Sequence, residues 1–284
     1  MTRTLVQHLT NAGPPTAVAS DPSVRARDWA EIQERMLVPL YEAVYERLEV
    51  RAGTRLLGLG CGSGLALLMA TARGARVTGV DSDEELLALA STRLAADAAA
   101  SGREPSGGVL PTSRTAEAAL PGGVPYDVIT ALQPIGCVAG DAKGLAPALD
   151  AAIPLAGRGT PVVLTGWGPP ERCATAGVLR VAGRLADRLR KGGWRPAYRD
   201  DLEEVAARAG LKPDGSGRVS CPFGYADTES AVRGLLSTGV FDGAVRATDR
   251  RQVEKEIAEA LHPHVRKDGT VWMPNVFRYL IARA

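Results

Sequence analysis

Three glycines and one carboxylate are the residues whose spacing most plainly serves chemistry. Gly60, Gly62 and Gly64 alternate in GLGCGSG, behind the apolar run RLLGL and ahead of the helix-forming LALLMATA. Such a loop lets a ligand reach backbone that side chains would block, and in an open parallel sheet ligands settle beyond the carboxyl ends of the strands. Asp81 closes the next apolar run, 17 residues after Gly64. A carboxylate there can accept hydrogen bonds from both hydroxyls of a ribose. Dinucleotide folds need G-x-G-x-x-G, whose third glycine packs helix against strand. Here Leu65 (counting from Gly60) or Ser63 (counting from Gly58) stands in that place, so a ribose-bearing ligand without phosphate fits better. A plain strand-to-helix turn led by an acid is the competing reading, and Cys61 reads as a small buried residue.

The elements that position these residues alternate. Strands are expected at 55–59, 76–80, 126–132 and 160–167, with a weaker one near 108–111; helices are expected at about 64–73, 83–99, 141–152 and 172–190. That alternation predicts an α/β, doubly wound, mostly parallel sheet with right-handed crossovers. Ser82 and Glu85 read as a capping box for the second helix. Upstream, Trp29, Ile32, Met36, Leu37, Leu40, Val44 and Leu48 give residues 25–50 one apolar helical face, which Pro39 should split or kink. Residues 1–24, rich in Pro, Ser, Ala and Gly toward their end, read as a flexible tail before a single domain over 25–284. Downstream, DDLEEVAARAGL predicts a helix over 201–209, with further helices at 227–237 and 249–261 and strands at 219–225 and 271–283. The segments 168–200 and 226–268 are long for strand connections and suit lids.

With these elements in place, the chain resembles the class I S-adenosylmethionine-dependent methyltransferases, in particular their small-molecule ubiE/type 11 group. LLGLGCGSG is similar to their first motif, VTGVDSDEELLALA to their second and PYDVITAL to their fourth strand, while DWAEIQERMLVPLYEAV and DGTVWMPNVFRYLIAR look like the flanks of actinobacterial members. The resemblance implies a seven-stranded Rossmann-like sheet and S-adenosylmethionine as cofactor. It implies that Gly60, Cys61 and Gly62 line the methionine end, with Gly64 in the same cofactor-binding loop, that Asp81 holds the ribose, that Ser82, Thr115 and Ala116 lie by the adenine, and that Leu132 and Gln133 face the sulfonium. Two positions depart from the pattern. Gly58 stands where the family's first motif has an acid, and Arg114, Thr115 and Ala116 stand where an acid would meet the adenine edge.

Methyl transfer is an in-line displacement in which the protein aligns the acceptor, excludes water and, for a hydroxyl or carbon acid, removes a proton. Candidates for the catalytic role are Gln133 and the histidines His262 and His264, which also suit an exposed helix end. Only three Phe, four Trp and six Tyr are present. Trp29, Tyr41, Trp167, Tyr198, Phe223 and Tyr225 are therefore candidates both for an acceptor pocket and for core packing. No metal site is expected, because Cys61, Cys137, Cys173 and Cys221 lie far apart and the His262–His264 pair has no clear third ligand.

A formal charge of +2 gives no reason to expect nucleic acid. The absence of a long apolar run gives none to expect a membrane. A cytoplasmic enzyme, monomeric or homodimeric, that methylates a small metabolite or natural product is the expected function. A scaffold that binds the cofactor or an apolar ligand without methylating, as a cyclase or binding protein would, is the alternative.

Overall fold

Successive residues of a strand face opposite sides of a sheet. Leu56 and Leu57 in β1 (Arg55–Leu59) accordingly lose all exposure to two different hydrophobic layers. The computed structural model describes residues 21–102, 107–118, 123–136, 141–186 and 201–284. Within them, β1 is joined by β2 (Arg76–Asp81), β3 (Gly107–Pro111), β4 (Val128–Ile135), β5 (Pro161–Trp167), β6 (Lys212–Ser220) and β9 (Val276–Arg283) in the order β3-β2-β1-β4-β5-β9-β6. The first five run parallel and β9 is antiparallel to both of its neighbours. This is the mostly parallel, doubly wound sheet that the alternation predicts, with the seven strands that the resemblance implies.

Helices α1 (Pro22–Asp28), α2 (Val38–Arg47), α3 (Leu65–Ala72), α4 (Glu84–Ser101) and α5 (Leu145–Ala152) are followed by α6 (Thr175–Ala186), α7 (Asp201–Arg208), α8 (Thr228–Ser237), α9 (Asp242–Ala247) and α10 (Arg250–Leu261). One face of the sheet packs on α5 and α7 through Leu57, Ile129, Leu149, Val162 and Leu202. The other packs on α2, α3, α6 and the α8–α10 group through Leu40, Leu56, Leu67, Val163, Leu179, Leu235 and Ile257.

Several expectations are corrected. The tail does not reach residue 24: α1 starts at Pro22, and the Asp21 side chain caps it by accepting from the Ser23 amide at 3.0 Å. The N-terminal segment is split at Pro39 as expected, since α2 begins at Val38 with Pro39 in its first turn, where its missing N–H costs nothing. The stretch before it is not a regular helix, however, but a π-helical turn over Trp29–Gln33 and a 3-10 turn over Glu34–Leu37. Ser82 is not the cap of α4. The Asp83 amide donates to Asp81 Oδ1 at 3.0 Å, which shifts the cap to Asp83, and its side chain accepts from the Leu86 amide at 3.0 Å. Strand β4 runs through Ile135 with a register shift after Ala131, so Gln133 lies within the strand rather than after it.

The expected strands 219–225 and 271–283 are each interrupted. Pro222 and Pro274 have no N–H for a ladder, and beyond them β7 (Phe223–Tyr225) and β8 (Val271–Met273) pair in a separate two-stranded sheet. The pair continues the β6–β9 hairpin and carries α8, α9 and α10 at its tip; the sequence had not announced α9. Arg25 pairs with Asp242 at 2.9 Å, and Arg233 pairs with the buried Asp28, so α1 is tied to this helical cap.

Asn275 holds the corner where the hairpin leaves the main sheet. It is 1% exposed, accepts from the Thr175 amide at 3.1 Å and donates to Thr175 Oγ1 at 2.9 Å and to the Met273 carbonyl at 3.2 Å. Removing it leaves buried backbone unpaired at the start of α6, at a cost of about 1–3 kcal/mol. Asn275→Ala should therefore lower the melting temperature by on the order of 5 °C in a calorimetric scan; an unchanged melting temperature would contradict this role.

Candidate active site

Gly60, Gly62 and Gly64 take positive φ values of 62°, 54° and 81°, which L side chains adopt only with strain. Gly64 also has no room for a side chain: a Cβ there would sit 2.8 Å from the Cβ of Ala90 in α4. The loop is closed from β2. Asp81 is 7% exposed, and its Oδ2 accepts the Gly62 amide at 2.8 Å. Each carboxylate oxygen thus accepts one backbone bond and keeps acceptor capacity for a further donor. Cys61 packs over Gly79. Burial first, then the charges of Asp81 and Glu34, push its thiol well above the ordinary range, so it is a packing group rather than a nucleophile.

Gly62 is the point on which other elements converge. A Cβ placed there would lie 3.1 Å from Glu34 Oε1, 3.1 Å from Trp29 Nε1 and 3.3 Å from Gln133 Nε2. Glu34 is 2% exposed, and its Oε2 accepts from Arg93 at 3.1 Å and from the Ser63 hydroxyl. Arg93 also donates to the Ser63 carbonyl at 2.9 Å and hydroxyl at 2.8 Å. Trp29 Nε1 is buried without any acceptor. Neither Glu34 nor Arg93 was singled out from the sequence. Glu34 falls off the apolar stripe of an ideal helix, and only the π turn brings it around.

Beside Gln133 opens an apolar cavity of about 210 Å³, lined by Trp29, Leu37, Trp167, Leu179, Phe223, Leu235 and Phe277 among others. Trp167 packs against Phe277 at 4.6 Å and Phe223 at 5.8 Å between ring centres, so the scarce rings gather at this end of the sheet. A second, much smaller cavity lies against Gly58, Gly60, Glu34, Tyr41, Leu132 and Gln133. Gln133 lines both.

The remaining sequence candidates lie elsewhere. Tyr225 is buried and donates to Gln33 Oε1 at 2.9 Å without lining either cavity. His262 and His264 occupy a 3-10 turn after α10, beyond its last buried side chain, Leu261, and neither lines either of these two cavities. Ser82 is exposed, and Thr115 is 1% exposed with its hydroxyl on the Thr112 carbonyl at 2.7 Å. Ala116 lies in the same 3-10 segment, Thr112–Ala118. The acid of that stretch, Glu117, pairs with Arg114 at the surface. Tyr198 and Cys137 lie outside the described residues. Among the described residues no three His, Cys, Asp or Glu side chains cluster as a metal site requires, and no helix is long and apolar enough to cross a membrane.

Residues 57–107 match the family model for a methyltransferase domain. That segment contains the glycine loop, Asp81 and α4. YjhP from E. coli is similar over 92% of this chain and 99% of its own, at 18% identity and a TM-score of 0.51. The chain has the Rossmann-like methyltransferase fold. A methyltransferase candidate from Bacillus halodurans C-125 is similar over 85% of this chain and 97% of its own, at 15% identity and a TM-score of 0.50. The [4+2]-cyclase SpnF is similar over 86% and 79%, at 17% identity and a TM-score of 0.48. A comparison with curated proteins finds no match. For a domain of this family the cofactor is S-adenosylmethionine.

Burial raises the Glu34 carboxyl above its ordinary value of 4.5, against the Ser63 hydrogen bond and the Arg93 charge, which hold it down. The folded protein then keeps this proton more tightly than the unfolded chain does. Its contribution to stability is full below pH 4.5 and is lost as the pH rises through the raised value. Urea unfolding between pH about 4 and about 8 should show this decline in the wild type and a flatter profile in Glu34→Gln; identical slopes would contradict it.

Proposed function

We propose that the protein transfers a methyl group from S-adenosylmethionine to a small, largely apolar acceptor held in the 210 Å³ cavity. The observation that carries this reading is the adjacency of the two halves of the site. The bare backbone at Gly60 and Gly62, fastened by Asp81, meets the apolar cavity at Gln133 and Trp29.

The residues fit the cofactor. Asp81 retains acceptor capacity for ribose hydroxyls, and the bare face of Gly62 is turned to polar atoms of Trp29, Glu34 and Gln133. Cys61 lends its backbone to the same surface, Gly64 fixes the turn into α3, and Leu132 and Gln133 face the sulfonium. Ser82, Thr115 and Ala116 flank the adenine. The bound cofactor supplies an electrophilic methyl group. The protein's share is alignment and the exclusion of water, since no ionisable side chain among the described residues lines the apolar cavity. Trp29 and Trp167 shape the acceptor pocket, and Gln133 orients the acceptor. Tyr41 contributes to the smaller cavity beneath.

Isothermal calorimetry should detect S-adenosylmethionine binding, and Asp81→Ala should weaken it roughly 10- to 100-fold, the loss expected for one hydrogen bond to a charged group. An unchanged affinity in the variant would remove Asp81 from the site. Incubation with methyl-labelled cofactor and small apolar hydroxyl, amine and carbon-acid acceptors should move label into a product. Cofactor that binds but stays intact while another substrate turns over would favour the non-methylating alternative instead.

A further inference from the structure

We propose that Trp29 and Glu34, brought onto one face by the π-helical turn before α2, form the receptor for the amino-acid end of the cofactor, with the indole N–H taking its carboxylate and the Glu34 carboxylate its ammonium. The proposal rests on the reading of the site as an S-adenosylmethionine site and assigns it residues from outside the matched segment 57–107.

The turn makes the pair possible. In a regular α-helix residues five apart point about 140° away from each other, at about 100° per residue. Over Trp29–Gln33 the helix is wound i to i+5, and the Glu34 amide donates to the Trp29 carbonyl, so the two side chains come to the same side. Both lie 3.1 Å from the position a Cβ would take on Gly62. π turns of this kind lower helix stability and gather at functional sites.

The Trp29 indole is left with a task that the protein alone does not fill. Trp29 is nine-tenths buried and its Nε1–H has no acceptor, an arrangement that costs free energy unless a ligand supplies one. Glu34 is a buried carboxylate held by Arg93 and Ser63 at Oε2 and by the Leu65 amide, and its Oε1 is turned toward Gly62. A donor indole and an acceptor carboxylate side by side complement a zwitterionic amino acid. Position 58 does not supply the acid, because it is a glycine.

The test compares S-adenosylhomocysteine, which carries the amino-acid end, with 5′-methylthioadenosine, which lacks it, by calorimetry. The wild type should prefer S-adenosylhomocysteine. Trp29→Phe and Glu34→Gln should each weaken S-adenosylhomocysteine roughly 10- to 100-fold and leave 5′-methylthioadenosine unchanged. Trp29→Phe keeps an aromatic ring and removes an unpaired donor, which offsets part of the lost packing, so the variant should stay folded; it decides the matter if Glu34→Gln, stripped of its Arg93 pair, fails to fold. Variants that bind S-adenosylhomocysteine as the wild type does, or that lose both ligands equally while folded, overturn the proposal and leave the cofactor reading standing. A wild type that binds neither ligand overturns both.

Discussion

The bond from the Gly62 amide to the buried Asp81 carboxylate is the constraint on which the site depends. Asp81 is fixed by its place at the end of β2, and a charge-assisted hydrogen bond in a buried setting holds its partner firmly. Gly62 is thereby kept in a left-handed conformation, with one face turned to Trp29, Glu34 and Gln133. Gly64 then sets α3 against Ala90 of α4 at a distance that only glycine permits. Three elements far apart in sequence, the N-terminal turn, the glycine loop and β4, consequently meet around one backbone amide.

The second half of the site comes from a different device. Hairpin β6–β9 outgrows the main sheet at Pro222 and Pro274, becomes the β7–β8 pair and bears the helical cap. Phe223 and Phe277 lie on either side of that transition and meet Trp167 from the end of β5. A protein with few rings has thus spent several on one cavity. The cap is fastened to α1 by Arg25–Asp242 and Asp28–Arg233, so the helix that carries Trp29 and the helices that roof the cavity form a connected cover.

What the sequence revealed follows from how local each signal is. The glycine spacing, Asp81 at its fixed offset and the strand–helix alternation are short-range patterns, and the sheet they predict is the sheet observed. The cap of α4 was missed by one residue because the Asp83 amide is drawn to Asp81, a tertiary demand that the capping-box pattern does not contain. Glu34 and Arg93 were missed for a stronger reason: they are 59 residues apart. Their pairing becomes visible only once a π turn rotates Glu34 off the exposed side of the expected helix. An acid one turn from an apolar stripe, with a lone arginine on α4, offers no periodic signature. The β7–β8 sheet was illegible likewise, since its strands are three residues each and pair across the whole cap.

The most direct measurement is a crystal structure of the protein with S-adenosylhomocysteine. The account predicts the ribose hydroxyls on Asp81, the amino-acid end over Gly60–Gly62, and the sulfur facing Gln133 and the mouth of the apolar cavity. A ligand lying elsewhere, with Asp81 engaged only by the Gly62 and Asp83 amides, would contradict it.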